Sequence, residues 1–191
     1  MSTSIVVTGH RQREAWVRKE MPPVEEVRPG LWSIPVLIPE NPLRYILVYA
    51  LATADGRLAL IDTGWNTDTG WKMLVDGIHS TGHDLADVSH VFVTHLHPDH
   101  FGLVPRLLEH TDPQLAMHNA DARHLRFHSE EELAGEFVAA QEDLRVLGAP
   151  TDVADTGLLE FVRLPGGRTM DVELDDAVPL NVPGWNLRAV W

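Results

Sequence analysis

The chain has 191 residues, a hydrophobic fraction of 44% and a formal net charge of -13. That is enough length for one domain with a sizeable core, and too apolar for a disordered chain. The charge argues against a nucleic-acid backbone or an anionic membrane as main partner, and the absence of cysteine excludes disulfide scaffolds and thiolate metal sites.

Residues 1–26 are polar and charged and read as a loosely attached extension ahead of a domain over 27–191. In it Arg11, Arg13, Arg18 and Lys19 follow the apolar Ile5-Val6-Val7, the reverse of a secretory signal, so a cytoplasmic location is expected. Thirteen of the fifteen cationic residues are arginines, which points to a GC-rich bacterial source. A first strand is expected around Leu31-Trp32-Ser33-Ile34. A buried strand follows over Tyr45–Ala52, then a hairpin turn at Ala54-Asp55-Gly56 and a return strand over Arg57–Asp62. A helix is expected over Trp71–Ile78 and a buried strand at Val91-Phe92-Val93. The apolar spacing of Phe101, Leu103, Val104, Leu107 and Leu108 predicts a helix to about His110.

Further on, Gln114–Met117 reads as a short strand ending at His118, a residue expected near the preceding strand-to-helix loop. The pattern over 119–161 is helical, with a capping box at Ser129 and Glu132. The acidic face of this stretch is read as solvated, and segment 124–161 as flanking a cleft or simply packing. Ala177–Val182 and Asn186–Trp191 read as two strands around Pro183-Gly184. Alternating strands and helices make this an α/β chain.

The chemistry lies in Thr94-His95-Leu96-His97-Pro98-Asp99-His100, three imidazoles and a carboxylate on a strand-to-helix loop. In extended backbone residues two apart share a side, so His95 and His97 can reach one ion together. Pro98 biases His97 away from the α region. Asp99 and His100 fall at the helix start, aimed differently, so two ligand pairs suit two metals. Imidazole and carboxylate without thiolate favour zinc, with iron or manganese also accommodated. The competing reading of Asp99 is a plain helix N-cap.

These residues resemble the metallo-β-lactamase-fold superfamily, whose His-x-His-x-Asp-His signature is matched at His95, His97, Asp99 and His100. A second element, Leu58-Ala59-Leu60-Ile61-Asp62-Thr63-Gly64, is similar to that superfamily's first motif, an apolar strand ending in Asp-Thr-Gly. The resemblance implies an αββα sandwich, of which this chain supplies the N-terminal half plus the start of the second sheet. It implies a dinuclear zinc hydrolase acting on an acyl or ester-type bond of a small molecule through a metal-bound hydroxide. His95 and His97 would bind one ion, and Asp99 and His100 the other. Asp62 would hold the metal loop through hydrogen bonds.

The superfamily takes further ligands from later motifs, a histidine, a bridging aspartate and a last histidine. This chain has no histidine after His128, and it stops at Trp191, where the third motif would follow. It is therefore expected to be incomplete at its C-terminus. As it stands, it would complete its site from a second copy or partner chain, or lack the activity. The inner sheet face, taken to carry Ile46, Val48 and Leu60, would then lack a facing layer and drive association. Two alternatives to the hydrolase stay open, an iron-dependent oxidoreductase of the same fold and a noncatalytic fragment.

Overall fold

The structure is a computed structural model that describes residues 6–126, 138, 146, 164 and 167–190. Seven strands form one sheet in sequence order: β1 (Glu25–Arg28), β2 (Leu31–Leu37), β3 (Tyr45–Ala52), β4 (Leu58–Ile61), β5 (Val88–Val93), β6 (Gln114–His118) and β7 (Val172–Leu174). β1 to β4 pair antiparallel, and β4 to β7 pair parallel. The change of sense at β4 follows from the connections. A tight turn at Gly56, φ 80°, returns the chain from β3, whereas a crossover helix, α2 (Asp68–Ser80), links β4 to β5. Thr67 caps that helix by accepting the Gly70 N–H at 3.0 Å.

Alternation along β3 sorts side chains between the two faces. Val48 and Ala50 join Leu60, Val91 and Leu115 in the main core, against Leu74 and Ile78 of α2. Gly77 lets this helix sit close, since a Cβ there would lie 2.2 Å from Ile34 Cγ2. On the opposite face Leu51, Ala59, Phe92, Ala116 and Leu174 pack against Val182 and Trp185. Those two belong to a separate antiparallel hairpin, β8 (Pro179–Val182) and β9 (Trp185–Arg188). Trp185 Nε1 donates to the Ala52 carbonyl at 2.7 Å, which docks the hairpin.

Four expectations need correction. Ile46, Val48 and Leu60 do not line an open face: Val48 and Leu60 are fully buried under the helical layer, and Ile46 packs against the same core. The N-terminal extension is not loose over its described residues. A helix, α1 (His10–Arg18), buries Ala15, and Glu25 accepts the Arg11 and Gln12 backbone N–H groups at its start, each at 3.1 Å. Trp16 meets Tyr45 edge-on, with ring centroids 6.3 Å apart. The expected domain boundary after residue 26 thus falls inside β1, which already pairs with β2. The single helix expected up to about His110 is two short ones, α3 (Pro98–Phe101) and α4 (Val104–Leu107).

After β6 comes a short helix, α5 (Asn119–Ala122), and a 3-10 turn over Arg123–Arg126. Most of segment 124–161, including Ser129 and Glu132, lies outside the described residues. Beyond it, β7 is fastened to β6 by an ionic clasp. Arg168 binds Asp112 at 2.6 Å, the Pro113 carbonyl at 2.8 Å and Asp171 at 2.8 Å. Asp171 in turn accepts the Leu115 N–H at 2.7 Å. Burial pushes the Asp171 carboxyl up, but that N–H and the Arg168 guanidinium more than offset it and hold it below the usual value. Among the described residues no helix is long and apolar enough to cross a membrane.

Candidate metal centre

β4, β5 and β6 run parallel, so the loops after Ile61, Val93 and His118 emerge at the same end of the sheet, the usual place for a site in a parallel sheet. Asp62 continues the ladder by donating its N–H to the Phe92 carbonyl at 2.8 Å. It then adopts a left-handed φ of 63°, a conformation aspartate tolerates through its short polar side chain. This bend aims a buried carboxylate, 5% exposed, across at the neighbouring loop. Oδ1 accepts the Thr94 N–H at 2.8 Å, both oxygens lie 3.0 Å from Thr94 Oγ1, and Oδ2 is 2.8 Å from His100 Nδ1.

The next two residues tie the same loops together. Thr63 donates both its N–H and its hydroxyl to the His100 carbonyl, at 2.8 and 3.0 Å. The Gly64 carbonyl accepts the Leu103 N–H at 3.0 Å. Gly64 has φ 110°, and a Cβ there would lie 2.5 Å from Val36 Cγ1. Opposite it, a Cβ on Gly102 would lie 3.0 Å from the Gly64 carbonyl oxygen. Gly64 thus makes room for Val36, and Gly102 lets its loop approach the backbone of Gly64 and Asn66.

His97 is the extended residue ahead of α3, and Pro98 occupies the first helical position, where its missing N–H has no helical partner to lose. Asp99 and His100 follow in the first turn. The His95 ring lies 4.5 Å from that of His97 and 4.0 Å from that of His100, between centroids. His100 Nε2 is 3.4 Å from Asp99. Burial lowers the His95 pKa, as do its two histidine neighbours, against the pull of Asp62 and Asp99. Burial also opposes protonation of His100, but its hydrogen bond to Asp62 and the Asp62 and Asp99 charges raise its pKa overall.

The structure therefore gathers His95, His97, Asp99 and His100 on one loop, with Asp62 beneath it. The nitrogen and oxygen donors are chemically suited to zinc or a similar first-row ion. Among the described residues no three His, Asp or Glu side chains group closely enough to hold an ion. His118 is not in this cluster. Its Nδ1 accepts the Ala120 N–H at 3.2 Å, and it lines, together with Thr94, Phe92, Leu174 and Arg188, a cavity of about 320 Å³ beside the loop. Thr94 and Arg188 join the site beyond the residues that the sequence singles out. The signal for Thr94 was present, a hydroxyl directly before a candidate ligand at a strand end. For Arg188 there was none, because its place depends on how the hairpin docks.

The profile of the Metallo-beta-lactamase superfamily matches residues 42–178, well over half the chain. Similar solved structures include a metallo-beta-lactamase family protein from Thermus thermophilus. It is 28% identical, with a TM-score of 0.68 over 87% of this chain and 52% of that one. A beta-lactamase domain protein from Burkholderia ambifaria is 22% identical, with a TM-score of 0.58 over 86% and 46%. A metallo-beta-lactamase with a HARLDQ motif from Cronobacter sakazakii is 20% identical, with a TM-score of 0.57 over 87% and 53%. This chain spans about half the length of these structures. No curated protein matches it.

Proposed function

The chain belongs to the metallo-beta-lactamase superfamily, a fold of metal-dependent hydrolase type, and we propose that its loop His95–His100 serves hydrolysis of an acyl or ester-type bond in a small molecule, with two zinc ions. The observation that carries this reading is the convergence of the His95, His97 and His100 rings, with centroid separations of 4.0 and 4.5 Å, on a loop anchored by a buried carboxylate. His95 and His97 would hold one ion, and Asp99 and His100 the second. Zinc, when bound, supplies Lewis acidity and a water acidic enough to serve as nucleophile near neutral pH.

The protein's own contribution is positional. Asp62 engages His100 Nδ1 and so leaves Nε2 to face the ion, the carboxylate–histidine arrangement that orients metal-bound imidazoles. The cavity beside Thr94, apolar along Phe92 and Leu174 with Arg188 at its wall, suits the acyl portion of a substrate. Two donors per ion are fewer than the three protein ligands a catalytic zinc commonly has, so further ligands would come from outside these four positions.

The test is elemental analysis of the purified protein together with turnover of lactone, thioester and lactam panels. Zinc bound in the wild type and lost in His97→Ala, with any hydrolysis lost in parallel, supports the reading. Hydrolysis that survives loss of the metal refutes it. Bound iron with dioxygen consumption would instead assign the site to oxidoreductase chemistry.

A further inference from the structure

We infer that Thr94 is a positioning residue whose hydroxyl selects the tautomer of His95 and turns its Nε2 toward the metal. This rests on the proposed role of His95 as a ligand. Thr94 Oγ1 lies 3.0 Å from each carboxylate oxygen of Asp62, 3.0 Å from His95 Nδ1 and 3.2 Å from His100 Nδ1. A hydroxyl has one proton to give and two lone pairs to offer. The Asp62 carboxylate only accepts, and it draws that proton. Thr94 Oγ1 is then left as an acceptor toward His95, and the group that fits it is an Nδ1–H.

His100 needs no such intermediary. Its Nδ1 is closer to Asp62 Oδ2, at 2.8 Å, than to the hydroxyl. One carboxylate therefore fixes two histidines, His100 directly and His95 through the Thr94 hydroxyl. When neutral, both rings are then left with a bare Nε2, the state an imidazole must have to bind a metal through that atom. The loop is prepared for an ion before one arrives, since these hydrogen bonds are made entirely by protein groups.

Thr94→Val is the informative change. It keeps the shape of the side chain, so water from the adjoining cavity is kept from replacing the hydroxyl. Thr94→Ser keeps the hydroxyl and is the rescue control. The readout is the position of the His95 ring proton in metal-free, 15N-labelled protein, from long-range 1H–15N correlation at mildly alkaline pH. Zinc affinity is measured alongside by competition with a chromophoric chelator.

In the wild type and Thr94→Ser, the His95 proton is expected on Nδ1. In Thr94→Val the population should move toward Nε2–H, the form that predominates in free histidine. Zinc affinity should fall about 10- to 100-fold, the usual loss when the hydrogen-bond partner of a metal ligand is removed. A His95 proton on Nε2 in the wild type overturns the inference whether or not the variants fold. So does a folded Thr94→Val with unchanged tautomer. Wild-type protein with the stated tautomers that binds no zinc would support the hydrogen-bond relay and overturn the metal reading, so the two failures are distinguishable.

Discussion

Removal of the Asp62 carboxylate tests the anchoring of the loop most directly. Asp62→Ala leaves three donors without their acceptor: the Thr94 N–H, the Thr94 hydroxyl and His100 Nδ1. Hydrogen bonds to a charged group contribute about 1.5–3 kcal/mol each. Thr94 borders the cavity, so water recovers part of its two bonds and about 2–4 kcal/mol of loss remains. Alanine at a left-handed φ of 63° adds about 1–2 kcal/mol, for about 3–6 kcal/mol in all. Asp62→Asn keeps one acceptor oxygen and tolerates the backbone, so its cost should be nearer 1–2 kcal/mol, roughly one such hydrogen bond. Urea unfolding followed by tryptophan fluorescence, in excess chelator, measures both without any contribution from bound metal. The reasoning fails if Asp62→Ala costs less than about 1 kcal/mol, or if the two variants cost the same, because no backbone or charge contribution would then be present.

Three further outcomes follow from the packing. Gly64→Ala should destabilise by about 2–5 kcal/mol, from an L residue at φ 110° and a methyl driven into Val36; in a double-mutant cycle by urea unfolding, Val36→Ala should recover part of this and leave the backbone cost. Thr63→Val keeps the shape of a fully buried side chain but removes its hydroxyl bond to the His100 carbonyl, and should cost about 1 kcal/mol by urea unfolding. Asp171 has a folded pKa below its ordinary value, so its stabilising effect is present above that ordinary value and is lost as pH falls through the depressed one; a pH series of melting curves should show Asp171→Asn less stable at neutral pH, with a shallower loss on the acid side.

The metal loop was legible because its residues are contiguous. His95, His97, Asp99 and His100 sit within six positions, and the strand before them ends in an apolar run, Val91-Phe92-Val93. β3 is also clear from sequence, at Tyr45–Ala52, since branched and aromatic residues fill it and a turn signal closes it. β1 and β7 were hidden for a common reason. Glu25–Arg28 and Val172–Leu174 are short edge strands, rich in charge or flanked by Asp171, Asp175 and Asp176, and their pairing comes from neighbours rather than from their own pattern. The two faces of β3 were assigned the wrong way round because alternation separates two faces without naming their covers. That depends on α2 lying on one side, and α1 with the β8–β9 hairpin on the other. The division of the expected helix into α3 and α4 falls at Leu103, whose N–H is taken by the Gly64 carbonyl of the neighbouring loop.

The paired hydrogen bonds from Thr63 to the His100 carbonyl and the bond from Leu103 to Gly64 join segments 37 and 39 residues apart in sequence. For anyone recombining this domain with a relative, 62–64 and 94–103 are a single exchangeable part. A chimera that imports the histidine loop alone would bring a Gly102 with no matching groove. One that imports the Asp-Thr-Gly turn alone would bring donors and a carboxylate with nothing opposite them. Crossover points placed between β4 and α2, or just after β5, would divide that part, whereas a crossover within β3 or after α4 would carry it across intact.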